Sequence, residues 1–174
     1  GGTVSSAAGT QLTGSIVNVA GAAISSAGNV NGGTLSATAT GALNITGGTV
    51  NGTAINLQGA TITSNGALIG GPVNATATAG NIALTQSPGI LLGTLTSPGS
   101  VSVNSTSGAI MDGNAGVNVV APSAVLVGAA DAGGAIDQDQ LTESRKREGV
   151  LGVLIGQLTD AVENLDRLLL GERV

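Results

Sequence analysis

Residues 18–40, NVAGAAISSAGNVNGGTLSATAT, return 38 positions later as residues 56–78, NLQGATITSNGALIGGPVNATAT. The two stretches agree at Asn18/Asn56, Gly21/Gly59, Ile24/Ile62, Ser26/Ser64, Gly32/Gly70 and Gly33/Gly71, and through the closing Ala-Thr-Ala-Thr. Most differences exchange like for like, as Val19/Leu57 and Leu35/Val73 do. A shorter phrase sits inside the repeat. It reads VNVAGAAI at 17–24, LNITGGTV at 43–50 and INLQGATI at 55–62, with VNVVAPSAV at 117–125 as a looser fourth copy. Units this short cannot each enclose a core, so they become stable only by stacking on neighbours. Half of the repeat offset is 19 positions, a suitable length for one coil of a parallel β-helix. About six to seven such coils fill residues 1–135.

The residue types suit a thin interior. Among 174 residues there are 30 glycines and no aromatic side chain, and the 41% hydrophobic share comes almost entirely from Ala, Val, Ile and Leu. A thick globular core ordinarily uses large rings. Disordered chains are rich in charge and poor in β-branched residues, the reverse of this one. Short stretches alternate larger apolar with small or polar residues, the period of a half-buried strand. They lie at 15–20, 34–40, 42–46, 54–58, 73–78, 81–85, 101–106 and 117–121. Asn31-Gly32, Asn51-Gly52, Asn65-Gly66, Asp112-Gly113, Pro88-Gly89 and Pro98-Gly99 read as the turns between them. The fold expected is all-β, a parallel β-helix solenoid with a short C-terminal α-helical extension. An antiparallel sandwich would use the same turns but has no reason to repeat itself at a fixed offset. In a stack of parallel strands one position recurs above itself, so amides can bond in ladders. Asn18, Asn44 and Asn56 share one motif position and are candidates for such a structural ladder. A charge at a repeated position would repel its copy, and residues 1–111 contain none.

Two long segments, ATATGALNITGGTVNGTAINLQGATITSNG at 37–66 and SVSVNSTSGAIMDGNAGVNVVAPSAVLVGAA at 100–130, resemble the repeat region of filamentous-haemagglutinin-like large exoproteins. These are bacterial adhesins of the two-partner secretion type, and autotransporter passengers look similar. The likeness covers about residues 1–130 and is one of style, Gly-rich and strand-dense. It implies a right-handed parallel β-helix, export to the bacterial cell surface, and a structural, adhesive role as a stalk or rod. It brings no catalytic motif. The partners it implies are a ligand on a host or neighbouring cell, or other copies of the chain. A self-assembling extracellular fibre or matrix subunit is the alternative. The chain begins at Gly1 without a signal peptide, which reads as a mature form or a piece of a longer protein.

Residues 136–174 differ in chemistry. Asp112 and Asp131 are the first two charged residues, and the other thirteen lie within 137–174. This segment reads as a helical cap or oligomerisation element. Asp137 with Gln140 resembles a capping box. Leu151, Leu154, Leu158, Ala161, Leu165 and Leu168 fall on a heptad seam. Folded back, that stripe covers the last coil; facing outward, it joins copies into a homo-oligomer. Its longest apolar run is about ten residues, half of what a transmembrane helix requires.

Several chemistries find no support in the residues. Without Cys or His there are no disulfides or thiolate sites, and the commonest general base and metal ligand are missing. A net charge of −5 argues against nucleic acid. Neither catalysis nor a cofactor is expected. Asp131, Asp137 and Asp139 could offer oxygen ligands to Ca²⁺, but no EF-hand pattern surrounds them. Four Asn-X-Thr matches, at Asn44, Asn51, Asn74 and Asn104, are expected by chance in so Asn- and Thr-rich a chain. One further alternative is an ice-binding solenoid, because Ala-Thr-Ala-Thr at 37–40 and 75–78 would stack threonines on a flat face.

Overall fold

The structure, a computed structural model, describes residues 2–128. The helical segment expected at 136–174, its seam from Leu151 to Leu168, and Asp131, Asp137 and Asp139 lie outside the described residues. Strand β1 (Thr3–Ser6) completes a partial coil. The first full coil holds β2 (Gln11–Gly21) and β3 (Ala23–Ser26), and the second β4 (Asn29–Ala39) and β5 (Ala42–Ile45). The third holds β6 (Thr49–Gly52), β7 (Ala54–Gly59) and β8 (Thr61–Ser64); the fourth holds β9 (Ala67–Gly70), β10 (Val73–Ala77) and β11 (Ile82–Gln86). The fifth has β12 (Ile90–Thr96) and β13 (Ser100–Ser105), and the sixth β14 (Ile110–Asp112), β15 (Val119–Val120) and β16 (Ser123–Val127). Every pairing between these strands is parallel. The described residues therefore form an all-β, parallel β-solenoid of about seven turns, and the sandwich alternative falls.

Two sheets run along the stack. One has seven strands in the order β1-β3-β5-β8-β11-β13-β16. The other is ordered β14-β12-β10-β7-β4-β6-β9, with β2 on β4 and β15 on β12. In the first sheet Ile24 pairs Leu43 and Leu43 pairs Ile62, two equal steps. In the second, Val17 pairs Leu35, Leu35 pairs Ile55 and Ile55 pairs Val73, steps of 18, 20 and 18. Short and long coils alternate there, which is why the sequence repeats over two coils and not over one.

The interior is built of columns. Val4, Ile24, Leu43, Ile62, Ile82, Val101 and Ala124 follow one another down the first sheet. Val19, Ala37, Leu57, Ala75, Leu95 and Val119 do so in the second. Leu43, Ile55, Ile62, Val73, Ile82, Leu92 and Leu95 are wholly enclosed. Each enclosed Leu or Ile contributes roughly 1.5–3 kcal/mol of hydrophobic burial. Large apolar side chains are exposed only in the terminal coils of the described body: Val4, Leu12 and Ile16 at one end, Met111, Val120, Val125 and Val127 at the other.

Corners are closed by threonines. Thr46, Thr53, Thr78 and Thr106 each donate a backbone N–H to a carbonyl of the preceding coil. Each also donates its hydroxyl to that same carbonyl, at 2.9–3.4 Å. Two of the dipeptides read as turns are not turns. Asn31-Gly32 lies inside β4 and Asn51-Gly52 inside β6. Gly32 is needed because a Cβ there would come within 2.6 Å of Gly14 O in the neighbouring coil. The constraint is close approach of stacked backbones, not chain reversal.

Candidate functional site

Within β4, β7 and β10 the alternation sends Leu35, Ile55 and Val73 inward and the intervening side chains outward. Two outward columns result. One runs Asn18, Ser36, Asn56, Asn74, and the other Ala20, Thr38, Gln58, Thr76, Thr96. Ser36, Thr38, Asn56, Gln58, Asn74 and Thr76 line a groove of about 300 Å³ on this face. No charged residue and no ring enters it, so it offers only amide and hydroxyl donors and acceptors.

The ladder candidates separate by sheet. Asn18 and Asn56 occupy one column with Ser36 between them. Asn44 lies in the other sheet, in the column Ser25, Asn44, Thr63, Ala83. The offset from Asn18 to Asn44 is longer than one coil and shorter than two, so stacking cannot bring them together. Their shared motif reflects strand alternation common to both sheets. The ladder bond that forms involves a residue the motif did not select: Asn74 Nδ2 donates to Asn56 Oδ1 at 3.1 Å. Asn74 Oδ1 in turn accepts the Thr94 N–H at 2.9 Å. The signal available was the short coil's step of 18, which carries Asn56 onto Asn74.

The threonines of the two Ala-Thr-Ala-Thr phrases divide between roles. Thr38 and Thr76 point outward in one column, but Gln58 stands between them. Thr40 and Thr78 turn to the corners, their hydroxyls donating at 3.4 Å to Ala22 O and Gly59 O. An unbroken Thr array on every coil is therefore not formed here. Thr76 and Thr96 are directly successive, and they are the longest run of threonine in that column.

The fourth motif copy behaves differently. Asn118 is 2% exposed, and its Nδ2 donates to Leu92 O at 3.0 Å, Gly93 O at 3.1 Å and Asp112 Oδ1 at 3.0 Å. Its Oδ1 has no protein partner. Asp112 Oδ1 also accepts the Asn114 N–H at 2.8 Å. The Asn114 N–H, then the Asn118 amide, hold the Asp112 carboxyl below the usual carboxylate range, and its slight desolvation opposes them. A depressed folded pKa means the contribution is complete above the unfolded value of about 3.9 and is lost as pH falls through the lower folded value. An NMR titration is expected to show the Asn114 amide proton and Asn118 side-chain signals holding steady down to about pH 4 and shifting together below it. Asp112→Asn should remove that transition. A shift of these signals centred above pH 4 would contradict the placement of Asp112.

Among the described residues no group of three or more acids forms a metal-binding cluster, and no helix is long and apolar enough to cross a membrane. Comparison with protein families, with curated proteins and with solved structures finds no match for this chain.

Proposed function

We propose that the chain is a segment of a secreted bacterial surface protein and serves as a structural, adhesive rod. In this reading the solenoid is right-handed, as in the filamentous-haemagglutinin-like exoproteins its repeats resemble. The observation that carries the reading is the face of uncharged outward columns held on a sheet of parallel strands. Such a face positions amides and hydroxyls at fixed spacing on a scaffold whose backbone groups are already paired, so little ordering entropy opposes contact. Its lack of charge suits a neutral ligand on a host or neighbouring cell.

Beads coated with the purified chain test this. They are expected to adhere to bacterial or epithelial cell layers. A Thr38→Ala, Gln58→Ala, Thr76→Ala triple variant is expected to lose adhesion, while Thr63→Ala on the other sheet keeps it. These side chains are outward, so the triple variant should melt like the parent. Adhesion unchanged by the triple variant, or absent in the parent, would refute the face as the binding surface.

A further inference from the structure

The second sheet changes its construction between the fourth and fifth coils. One junction earlier, β6 pairs β9 and β7 pairs β10 residue for residue. At this junction the stack lapses on one side. Among the described residues β9 pairs β6 alone, and the opening residues of β12, Ile90 and Leu91, pair Ile110 and Met111 of β14. The Leu68 N–H in β9 bonds a side chain in place of a backbone: Gln86 Oε1 accepts it at 2.9 Å, and Gln86 Nε2 donates to Gly89 O at 3.2 Å. The corner that follows Gln86 is tied away from β9. The Ile90 N–H donates to Ala109 O at 2.9 Å, and the Ser87 and Ser107 hydroxyls bond each other. Next to this gap lies the register shift of β10 on β12, where Val73 pairs Leu92 but Ala75 pairs Leu95. There the Thr94 N–H is taken by Asn74 Oδ1 at 2.9 Å. Two side-chain amides thus hold what continuous strand pairing holds one junction earlier.

We propose that the body is jointed here: the seam from Leu68 to Thr94 opens and recloses as one unit, with the Gln86 side chain as its latch. Local opening starts where the fewest backbone bonds cross between neighbours. A latch made of one long side chain is also weaker than a ladder, because closing it freezes rotamers that a backbone bond does not involve. Intact pairing bounds the seam on both sides. On the first sheet β11 pairs β13 at five consecutive positions, from Ile82 with Val101 to Gln86 with Ser105, and the Thr106 N–H then donates to Gln86 O at 2.8 Å. On the second sheet regular register resumes at Ala75 with Leu95 and Thr76 with Thr96. The opening is therefore confined to one side of the body, and the first sheet serves as its hinge. Gln86 is only 4% exposed, so opening brings a buried amide to water, where its lost bonds are replaced. This goes beyond the adhesive reading. It holds whether or not the outer face binds a ligand, and it does not depend on what adjoins the described coils.

Amide hydrogen exchange of the full chain, read residue by residue by NMR, tests it. The references are the N–H groups of Ile55 and Ile62, which donate to Pro72 O and Asn81 O across the junction of the third and fourth coils, and that of Thr106 on the hinge. After correction for intrinsic rates, Leu68 and Thr94 are expected to share one protection factor, about tenfold below all three references, as the lack of one net hydrogen bond implies. Gln86→Ala is expected to lower both by about a further tenfold and leave Ile55 and Ile62 unchanged. Thr94 bonds Asn74 and not Gln86, so its response reports the opening and not merely a lost bond. Asn74→Ala, on the outer face, is the reciprocal variant: Leu68 should lose protection together with Thr94. It decides the matter should Gln86→Ala lose its strand circular dichroism. Leu68 or Thr94 as protected in the parent as Ile55 would overturn the proposal. So would a variant in which only the directly bonded amide responds, which would make each side chain a cap on one donor. A loss shared equally by Ile55 and Ile62 would also overturn it, since the body would then open as a whole.

Discussion

Ile62→Asp is expected to unfold the solenoid at neutral pH. Ile62 sits in the middle of its column, between Leu43 and Ile82, and is completely enclosed. Among the described residues no basic side chain exists to pair the new carboxylate. Leaving it ionised costs several kcal/mol, and even the protonated acid leaves a buried polar group, at roughly 2–7 kcal/mol. Domains of this size are stable by about 5–15 kcal/mol, so little or nothing remains. Ile62→Ala is the control, expected to cost about 2–5 kcal/mol through lost burial and a cavity. The two should differ in pH dependence. The buried Asp has its folded pKa raised, so Ile62→Asp regains stability as pH falls, whereas Ile62→Ala does not. Thermal melts at pH 4 and pH 7 read both effects. Parent-like melting of Ile62→Asp would mean that Ile62 does not face the interior.

Gly48→Ala is expected to be the most damaging conservative glycine change. Gly48 adopts φ +71°, a left-handed conformation, and a Cβ there would overlap Gly28 O in the neighbouring coil. Two penalties coincide: backbone strain of about 1–3 kcal/mol, and displacement of a stacked backbone that its hydrogen bonds hold in place. Gly9 separates them. It has φ +84° but open space where its Cβ would stand, so Gly9→Ala carries strain alone, about 1–2 kcal/mol. Gly71→Ala carries overlap alone, against Thr53 O. Urea unfolding should rank Gly9→Ala mildest and Gly48→Ala worst, the latter losing more than about 3 kcal/mol. Equal losses at Gly9 and Gly48 would show that coil spacing is not limiting at this corner.

Much of the fold was legible because alternation and repetition are written in the same residues. Val17/Val19, Ile55/Leu57 and Val73/Ala75/Ala77 announce inward positions, and a period of two coils forces them into stacked columns. The four-residue strands Ala23–Ser26 and Thr61–Ser64 went unread. So few small residues carry little local preference, and their order comes from the coils on either side. Strand β12 hides its period because the register shifts opposite Val73 and Ala75, so that Gly93 and Thr94 together fill the space between inward Leu92 and Leu95 where Asn74 alone suffices in β10. Buried polar groups were equally invisible. Gln86 is enclosed because its Oε1 accepts the Leu68 N–H at 2.9 Å and its Nε2 donates to Gly89 O at 3.2 Å. The first of these partners belongs to β9, two strands earlier in the same coil, and nothing beside Gln86 in the chain announces it. On the outer face the residue types were readable but their grouping was not, since only the unequal coil lengths decide that Asn56 meets Asn74 while Asn44 joins the other sheet.

Those unequal coils also set how such a body can change in length. One sheet advances by 19 and 19, the other by 18 and 20, and both total 38. Excising residues 18–55 would bring Val73 18 places after Val17 and Ile62 20 places after Val4, the spacings Leu35 and Ile24 hold now. Excising half as many would force an odd step on the second sheet, and where that sheet already takes one, from Val73 to Leu92, its register shifts. Growth or loss by tandem duplication is therefore quantised: the increment that leaves every contact in phase is a pair of coils, about 10 Å of added height.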